Sequence, residues 1–494
     1  MELPLEMKEE NHEIIEKRGE PSEYSSKNKH QCLLEQILKG DGWMNREVQS
    51  VVTEDLAKQN IGLNTTKLSI RRMPKATFVV VILCWFAMLA DGYDLGIYGA
   101  VLPSLMEYKD WSMTPSQAGA IGSYALMGML IGAICVGTVT DMIGRKLTLI
   151  FCVTVFSISM CLVALSTSPE MFGIFRFIGG LGLGGVIPTA SALTIEYSPV
   201  QHRSKMYAIM YTGYPIGGVI GALFSMFLLE DYGWRLMFWI GVIPLLVIPF
   251  IIKFLPESIS FLVAKKRFDK AESIARKYQL PNDFIQSNMK DETKGTTNKF
   301  AAIASLFSRE NIRATMFFWV TFFLGLLMIY GLSTWLPKMM REAGYPLGPS
   351  LGFLLMLNLS AAIGALVAGT AADRWGSRKI ISLSYFLAGI SIALLSIKSS
   401  MFVVYGLVGI AGFGTIGTTL ILNAYISKYF EADNRATALG WALGFGRIGA
   451  ISGPILIGFF MSSNFDFSLN FYLFAVAGVL ASITILFIPK KGNI

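Results

Sequence analysis

The sequence predicts an all-α membrane protein, with twelve transmembrane helices in two six-helix, pseudo-symmetric halves. Three observations carry that prediction. The chain of 494 residues is 53% hydrophobic and only 15% charged, where soluble domains carry about 25% charge. Its apolar stretches recur at the length of about 20 residues needed to cross a bilayer. Glycines, tyrosines and charged residues of its first half reappear at a fixed offset of 232 positions in its second.

Residues 1–75 form a polar head. Leu33, Leu34, Ile37 and Leu38 in it fit one short amphipathic helix, but so short a helix is marginal alone, and a cytoplasmic tail with weak local helix is expected. The head is too polar for a cleavable signal peptide, so the first apolar helix is expected to act as its own insertion signal. Six spans follow, near 77–102, 117–139, 147–166, 171–195, 206–229 and 235–254, making an N-terminal bundle over 76–255. The segment 256–312, rich in Lys, Asp and Glu, reads as a cytoplasmic linker with helix from Lys265 to Lys277. The C-terminal bundle, 313–494, has spans near 313–336, 348–371, 380–397, 401–426, 436–461 and 469–488.

The net charge is +8, and its distribution argues for a membrane rather than a nucleic acid, for which no motif is present. With the N-terminus inside, the short cytoplasmic loops collect Arg71, Arg72, Lys75, Arg145, Lys146, Arg203, Lys205, Arg374, Arg378, Lys379, Lys428, Arg435, Lys490 and Lys491; the opposite side keeps Lys109, Arg235, Lys338, Arg341 and Lys398. That positive-inside bias sets both termini in the cytoplasm of a multi-pass protein of the cell membrane. Of the five cysteines, Cys84, Cys135, Cys152 and Cys161 lie in spans and none has metal-ligand spacing, so they are expected to act as small apolar residues. No metal or cofactor is expected.

The 232-residue offset relates Asp141 to Asp373, Gly182 to Gly414, Gly185 to Gly417, Tyr197 to Tyr429, Arg203 to Arg435, Gly217 to Gly449 and Gly221 to Gly453. A fixed offset over so long a stretch implies duplication of a six-helix unit. Two such units about an axis along the membrane normal describe the major facilitator architecture, with a substrate site near the midplane between halves. The loop Asp141-Met142-Ile143-Gly144-Arg145-Lys146 has a partner in Asp373-Arg374-Trp375-Gly376-Ser377-Arg378-Lys379. Glycine permits the tight turn, and the basic residues can meet helix C-termini and acids. With Glu196 and Arg203 at the end of span 4, and Arg435 as the counterpart of Arg203, these loops are expected to form a charge latch favouring one conformation.

Asp91 and Asp94 lie inside the first apolar run, three residues apart and so on one helix face. Intramembrane acids are costly and mark ion or substrate pathways. Mutual repulsion and desolvation both disfavour the doubly charged pair, which suits a proton carrier. All three histidines, His12, His30 and His202, lie outside the spans. Arg176 in span 4 and Arg447 in span 11 are equally costly in hydrocarbon. Each has two possible partners, an intramembrane aspartate or an anionic substrate, whose carboxylate an arginine can grip bidentately. Tyr93 and Phe445 adjoin these charges and could stack on a planar ring; the other aromatics in spans, among them Tyr211, Tyr214 and Tyr330, are expected to pack or to belt the interface. Gly128/Gly132, Gly217/Gly221 and Gly449/Gly453 have the spacing of close helix packing.

At these residues the chain resembles the aromatic acid:proton symporters of the major facilitator superfamily. The likeness covers about residues 75–490. It rests on Asp91-Gly92-Tyr93-Asp94, the Asp141 loop, Arg176 in its glycine-rich helix, Glu196-Tyr197 followed by Arg203-Ser204, Pro256-Glu257-Ser258, Trp335-Leu336-Pro337, and Arg435 with Gly446-Arg447. The resemblance implies import of a benzoate-like acid with protons, using Asp91, Asp94, Asp141, Arg176, Glu196, Arg435 and Arg447. The partners it implies are a small organic acid, protons and the lipid bilayer. Two departures stand out: the long head, and Ser377 between Gly376 and Arg378 in the second loop.

Other functions fit the same residues less well. Sugar uptake would favour neutral Asn and Gln partners in the C-terminal helices, and Phe317 to Trp335 has none. Drug efflux of cations sits badly with Arg176 and Arg447. A sensor would use the head as its output. An enzyme is not indicated, since no nucleophile-base set or phosphate loop appears. Deleting residues 2–70 is expected to leave solute uptake into cells intact; loss of uptake with the bundle still inserted would favour the sensor.

Overall fold

The structure, a computed structural model, describes residues 75–199, 202–278, 299–463 and 465–489. The predicted head, with its short amphipathic helix, and linker residues 279–298 lie outside the described residues. The described residues fall in one compact unit.

The first half contains α1 (Lys75–Met106), α2 (Pro115–Ile143), α3 (Arg145–Ala164), α4 (Pro169–Leu183), α5 (Val186–Glu196), α6 (Arg203–Tyr211), α7 (Gly213–Ile240) and α8 (Ile248–Phe254). Three short linker helices follow, α9 (Ile259–Ala264), α10 (Phe268–Lys277) and α11 (Lys299–Leu306). The second half contains α12 (Ile312–Glu342), α13 (Leu347–Trp375), α14 (Ser377–Leu394), α15 (Met401–Tyr429), α16 (Ala432–Ser462) and α17 (Leu469–Leu486).

Eleven helical runs among the described residues are long and apolar enough to span a membrane, and one of them, Arg203–Phe254, has 52 residues. At 1.5 Å per residue that run is about 78 Å long, more than twice the roughly 30 Å hydrocarbon core. It is two crossings. Gly233, at φ 74° and ψ 173°, breaks it, so the count of twelve is recovered where a glycine in left-handed backbone turns the chain.

Local chemistry sets the other boundaries. Thr114 and Gln117 form a reciprocal capping box before α2, with Pro115 in its first turn, satisfying amides the helix leaves free. Ser168 caps α4 by accepting from the Met171 amide. Gly144 (φ 96°) and Gly376 (φ 90°) are single-residue corners between α2 and α3 and between α13 and α14, the matched turns anticipated from the repeat.

The halves meet through α1 with α12, α2 with α16, and α7 with α13. Gly99 and Ser333 lie four residues before Pro103 and Pro337, whose rings free those carbonyls from helix bonding. There α1 and α12 come together, and a Cβ on Gly99 would overlap the Ser333 carbonyl. At the end bearing the 107–114 loop, the Ser116 amide donates to Ser462 Oγ (2.9 Å), Ser123 Oγ donates to the Ile451 carbonyl (2.7 Å), and Arg341 pairs with Glu107 (2.6 Å). A Cβ on Gly119 would crowd Pro454 and Gly458. Further along the same two helices, Gly137, Gly440 and Gly444 meet nothing within 4 Å. The α2–α16 pair is therefore in close contact at one end, while glycines of both helices face open space toward the end bearing the 141–146 loop.

Within the first half, α1 and α7 cross closely: a Cβ on Gly92 would overlap the Tyr214 carbonyl. Gly92→Ala is expected to cost about 1–3 kcal/mol of stability through overpacking, read as a lowered Tm in detergent. Gly137→Ala, pointing into open space, should leave Tm unchanged or slightly raised, because alanine favours helix by up to about 1 kcal/mol over glycine.

Candidate functional site

The two aspartates of α1, predicted to work as a pair, have separate surroundings. Asp94 Oδ1 accepts a hydrogen bond from Arg176 Nη1 at 3.0 Å, and both side chains are almost wholly buried. The Arg176 guanidinium also lies over the Tyr98 ring, 4.7 Å from its centre, and Tyr98 is held by its hydroxyl donating to the Ala118 carbonyl. A buried guanidinium is tolerable with an ion partner and an aromatic face. Of the two partners open to Arg176 from sequence, the geometry supplies the aspartate.

Asp91 is fully buried, and neither carboxylate oxygen has a hydrogen-bond partner. Its electrostatic neighbours include Arg447 of α16 and the phenols of Tyr211 and Tyr214. Tyr330 of α12 adjoins Tyr211, Tyr214 and Arg447. Arg447 is half-buried; its Nη1 contacts the Met129 sulfur of α2 at 3.8 Å, and among the described residues it joins no ion pair. A thioether is a weak acceptor, so this cation has no anionic partner in contact. Tyr207, Tyr211 and Tyr214 stack in a row, with ring centres 6.0 and 6.1 Å apart. An acid, a base and aromatic faces thus converge where the halves meet, contributed by α1, α6 and α7 from one half and α12 and α16 from the other.

Tyr93 and Phe445, the aromatic candidates beside the charges, are engaged in packing contacts. Tyr93 is 4% exposed and its hydroxyl donates to the Met237 carbonyl at 2.7 Å, which fixes α1 against α7. Phe445 stacks on Trp319 at 5.2 Å, and Trp319 stacks on Trp441. The phenols of Tyr211, Tyr214 and Tyr330 were visible in the sequence as span aromatics, but nothing in their spacing distinguished them from packing residues.

The loop candidates divide likewise. Past the Gly144 corner, Arg145 Nη1 meets Glu196 Oε2 at 2.5 Å. Glu196 also accepts from Ser258 Oγ (2.8 Å) and from the Ser260 amide (2.7 Å). Glu257 Oε1 accepts from the amides of Lys146 (3.0 Å) and Ser258 (2.9 Å), and Lys146 Nζ donates to the Ile252 carbonyl. The linker thus closes onto the first loop. Asp141 is exposed and takes no part in these bonds; Arg203 Nε reaches only the Ser198 carbonyl, at 3.4 Å. In the second half Asp373 pairs with Lys428 at 3.1 Å, both exposed. Arg378 donates to the Leu486 carbonyl, and Arg435 is exposed. Lys428 is the 232-offset counterpart of Glu196: the acid of one half is a base in the other, and the pairing is inverted. Glu257, Ser258 and Ser260 were not among the candidates, although Pro256-Glu257-Ser258 was noted as a motif.

The Major Facilitator Superfamily family model matches residues 84–360 and 351–493. The chain belongs to the Major Facilitator Superfamily. Among curated proteins it is 39% identical to the benzoate transport protein of Acinetobacter baylyi, over 83% of this chain and 89% of that protein. It is 36% identical to the gentisate transporter of Corynebacterium glutamicum, over 86% and 90%. Among solved structures, the xylose transporter XylE from E. coli shares the fold at a TM-score of 0.70 and 18% identity, covering 85% of this chain and 99% of that one. This facilitator is a multi-pass membrane transport protein, as its composition and repeat predicted.

Breaking the Asp94–Arg176 pair leaves an uncompensated buried charge, typically worth about 3–5 kcal/mol. Arg176→Ala is expected to lower detergent-phase stability by about that much, and Asp94→Asn/Arg176→Gln to recover most of it. Equal losses in the single and double variants would disprove the coupling.

Proposed function

We propose that this facilitator is a proton-coupled symporter that imports an aromatic or related small organic carboxylate by alternating access across the cell membrane, with both termini in the cytoplasm. The observation that carries the reading is Asp91, a wholly buried carboxylate with no hydrogen-bond partner among the described residues, near an arginine of the opposite half that contacts a thioether and joins no ion pair among those residues. A buried charge without a partner is very costly; a group that alternates between neutral acid and carboxylate can occupy such a place only transiently charged. The named substrates of its relatives, benzoate and gentisate, support an aromatic acid, and the positive-inside loops support the topology.

In the proposed cycle, a substrate carboxylate meets Arg447, its ring lies against Tyr211, Tyr214 or Tyr330, and a proton resides on Asp91. Arg447 and Tyr330 belong to one half and Asp91, Tyr211 and Tyr214 to the other, so a bound acid draws the halves together. Asp94 and Arg176 hold α1 against α4 while this happens. The Arg145–Glu196 cluster and the Asp373–Lys428 pair act as the latches of the two halves. The gap at Gly137, Gly440 and Gly444 is the space that closure would consume, with the opposite end of the α2–α16 pair opening in exchange. Symport of a monoanion with one proton moves no net charge, so the pH gradient alone drives it. A second proton would add about 2.3 kcal/mol per 100 mV.

Uptake of labelled benzoate into proteoliposomes, with and without an inward proton gradient, tests the reading. Asp91→Asn is expected to abolish gradient-driven accumulation while equilibrium exchange persists. Arg447→Lys is expected to weaken binding by about tenfold or more, as a bidentate guanidinium contact becomes a point charge. Full accumulation by Asp91→Asn would overturn the assignment of the proton site.

A further inference from the structure

A cavity lies away from the central charges. About 440 Å³ in volume, it opens where the end of α2 and the start of α3 face the linker helices α9 and α10. Its floor is apolar and outward-facing, with Met142 67%, Ile143 39% and Leu147 53% exposed. These residues belong to helices that cross the membrane, so the floor is at the boundary between hydrocarbon and headgroups. Its rim is basic, formed by Lys265, Arg267 and Lys270, all exposed.

The fold arranges that rim deliberately. The Arg267 amide bonds back to the Leu262 carbonyl and the Lys266 amide to the Val263 carbonyl, both at 2.8 Å. This is the double bond of a Schellman cap, whose left-handed position normally holds glycine. Here it holds Lys266 at φ 56°. A lysine in left-handed backbone is strained, and the strained turn presents Lys265, Lys266 and Arg267 in sequence beside the cavity. The acid on the cavity wall, Glu257, already accepts from the Lys146 and Ser258 amides. On α10, Glu272 is paired with Arg276 at 2.5 Å, and Asp269 is the other nearby acid. Among the described residues, cations at the rim outnumber the acids left to meet them.

We infer that this cavity is a binding site for an anionic phospholipid, its phosphate held by Lys265, Arg267 and Lys270 and an acyl chain lying along Met142, Ile143 and Leu147. A basic pocket at a membrane surface is matched to such headgroups, and the apolar floor excludes free phosphate as the better fit. The position adds a consequence: the Gly144 corner, Lys146 and Glu257 adjoin the same cavity, so the lipid bears on the loop that carries the Arg145–Glu196 pair.

Native mass spectrometry of the full chain released from nanodiscs tests this. The nanodiscs would contain phosphatidylglycerol and phosphatidylcholine in equal amounts. The wild type is expected to retain phosphatidylglycerol preferentially, and Lys265→Gln/Arg267→Gln/Lys270→Gln to lose that preference by about tenfold or more. Lys265→Arg/Lys270→Arg, which keeps the charge, should retain it, and serves as the folded comparison should the triple variant be unstable. A rise in Tm with added phosphatidylglycerol, absent with inorganic phosphate, would support a lipid rather than a free anion. Equal retention of both lipids by the wild type, unchanged preference in the triple variant, or the same Tm rise with inorganic phosphate would each overturn the site. None of these readouts depends on benzoate uptake, so the test is separate from that of the transport reading.

Discussion

The structure turns on the cost of keeping charge in hydrocarbon. Four ionisable side chains, Asp91, Asp94, Arg176 and Arg447, lie inside the apolar spans, and each must find a partner or change its state. Asp94 and Arg176 have found each other at 3.0 Å, with Tyr98 beneath the guanidinium. That pair joins α1 to α4 inside one half. Asp91 and Arg447 have not paired. They belong to different halves, so completing either one depends on what lies between the halves. Two otherwise similar acids three residues apart on one helix thereby have different surroundings.

The same division runs through the repeat. Duplication supplied two equivalent six-helix units, with matched glycine corners at Gly144 and Gly376. The charges attached to that frame have diverged. Glu196 and its counterpart Lys428 have opposite sign, so Arg145 is the base of one pair while Asp373 is the acid of the other. The first pair is half-buried and tied through Ser258 and Ser260 to the linker; the second is exposed to water, where an ion pair contributes little. The two loop pairs are therefore unequal, and so is the interface: α2 and α16 are bonded at Ser116, Ser123 and Ser462, while Gly137 and Gly440 face open space.

Much of this was legible in the chain. Helix positions followed from apolar length, because a bilayer admits few alternatives, and the boundaries of α12, α15 and α17 begin within a residue of their expected places. Intramembrane charges announced themselves by their cost. Less legible was which aromatic rings belong to the site. Tyr93 is two residues from Asp91 in sequence but reaches back to Met237, whereas Tyr330 is more than 200 residues away and reaches the same neighbourhood as Asp91. A helix places successive residues about 100° apart, so adjacency in sequence separates side chains rather than joining them.

By itself, then, the sequence determined the membrane fold, the twofold repeat, the turn glycines and the identity of the costly charges, since each follows from composition or from spacing along one helix. Only the tertiary structure decided partners: Arg176 with Asp94, Asp91 without a hydrogen-bond partner among the described residues, Glu196 with Arg145 and two serines of the linker, Asp373 with Lys428. Pairing between helices depends on their rotation and crossing, set by close contacts such as Gly92 on Tyr214 and Gly99 on Ser333. Those contacts are made by packing the whole bundle, and no local stretch of residues encodes them.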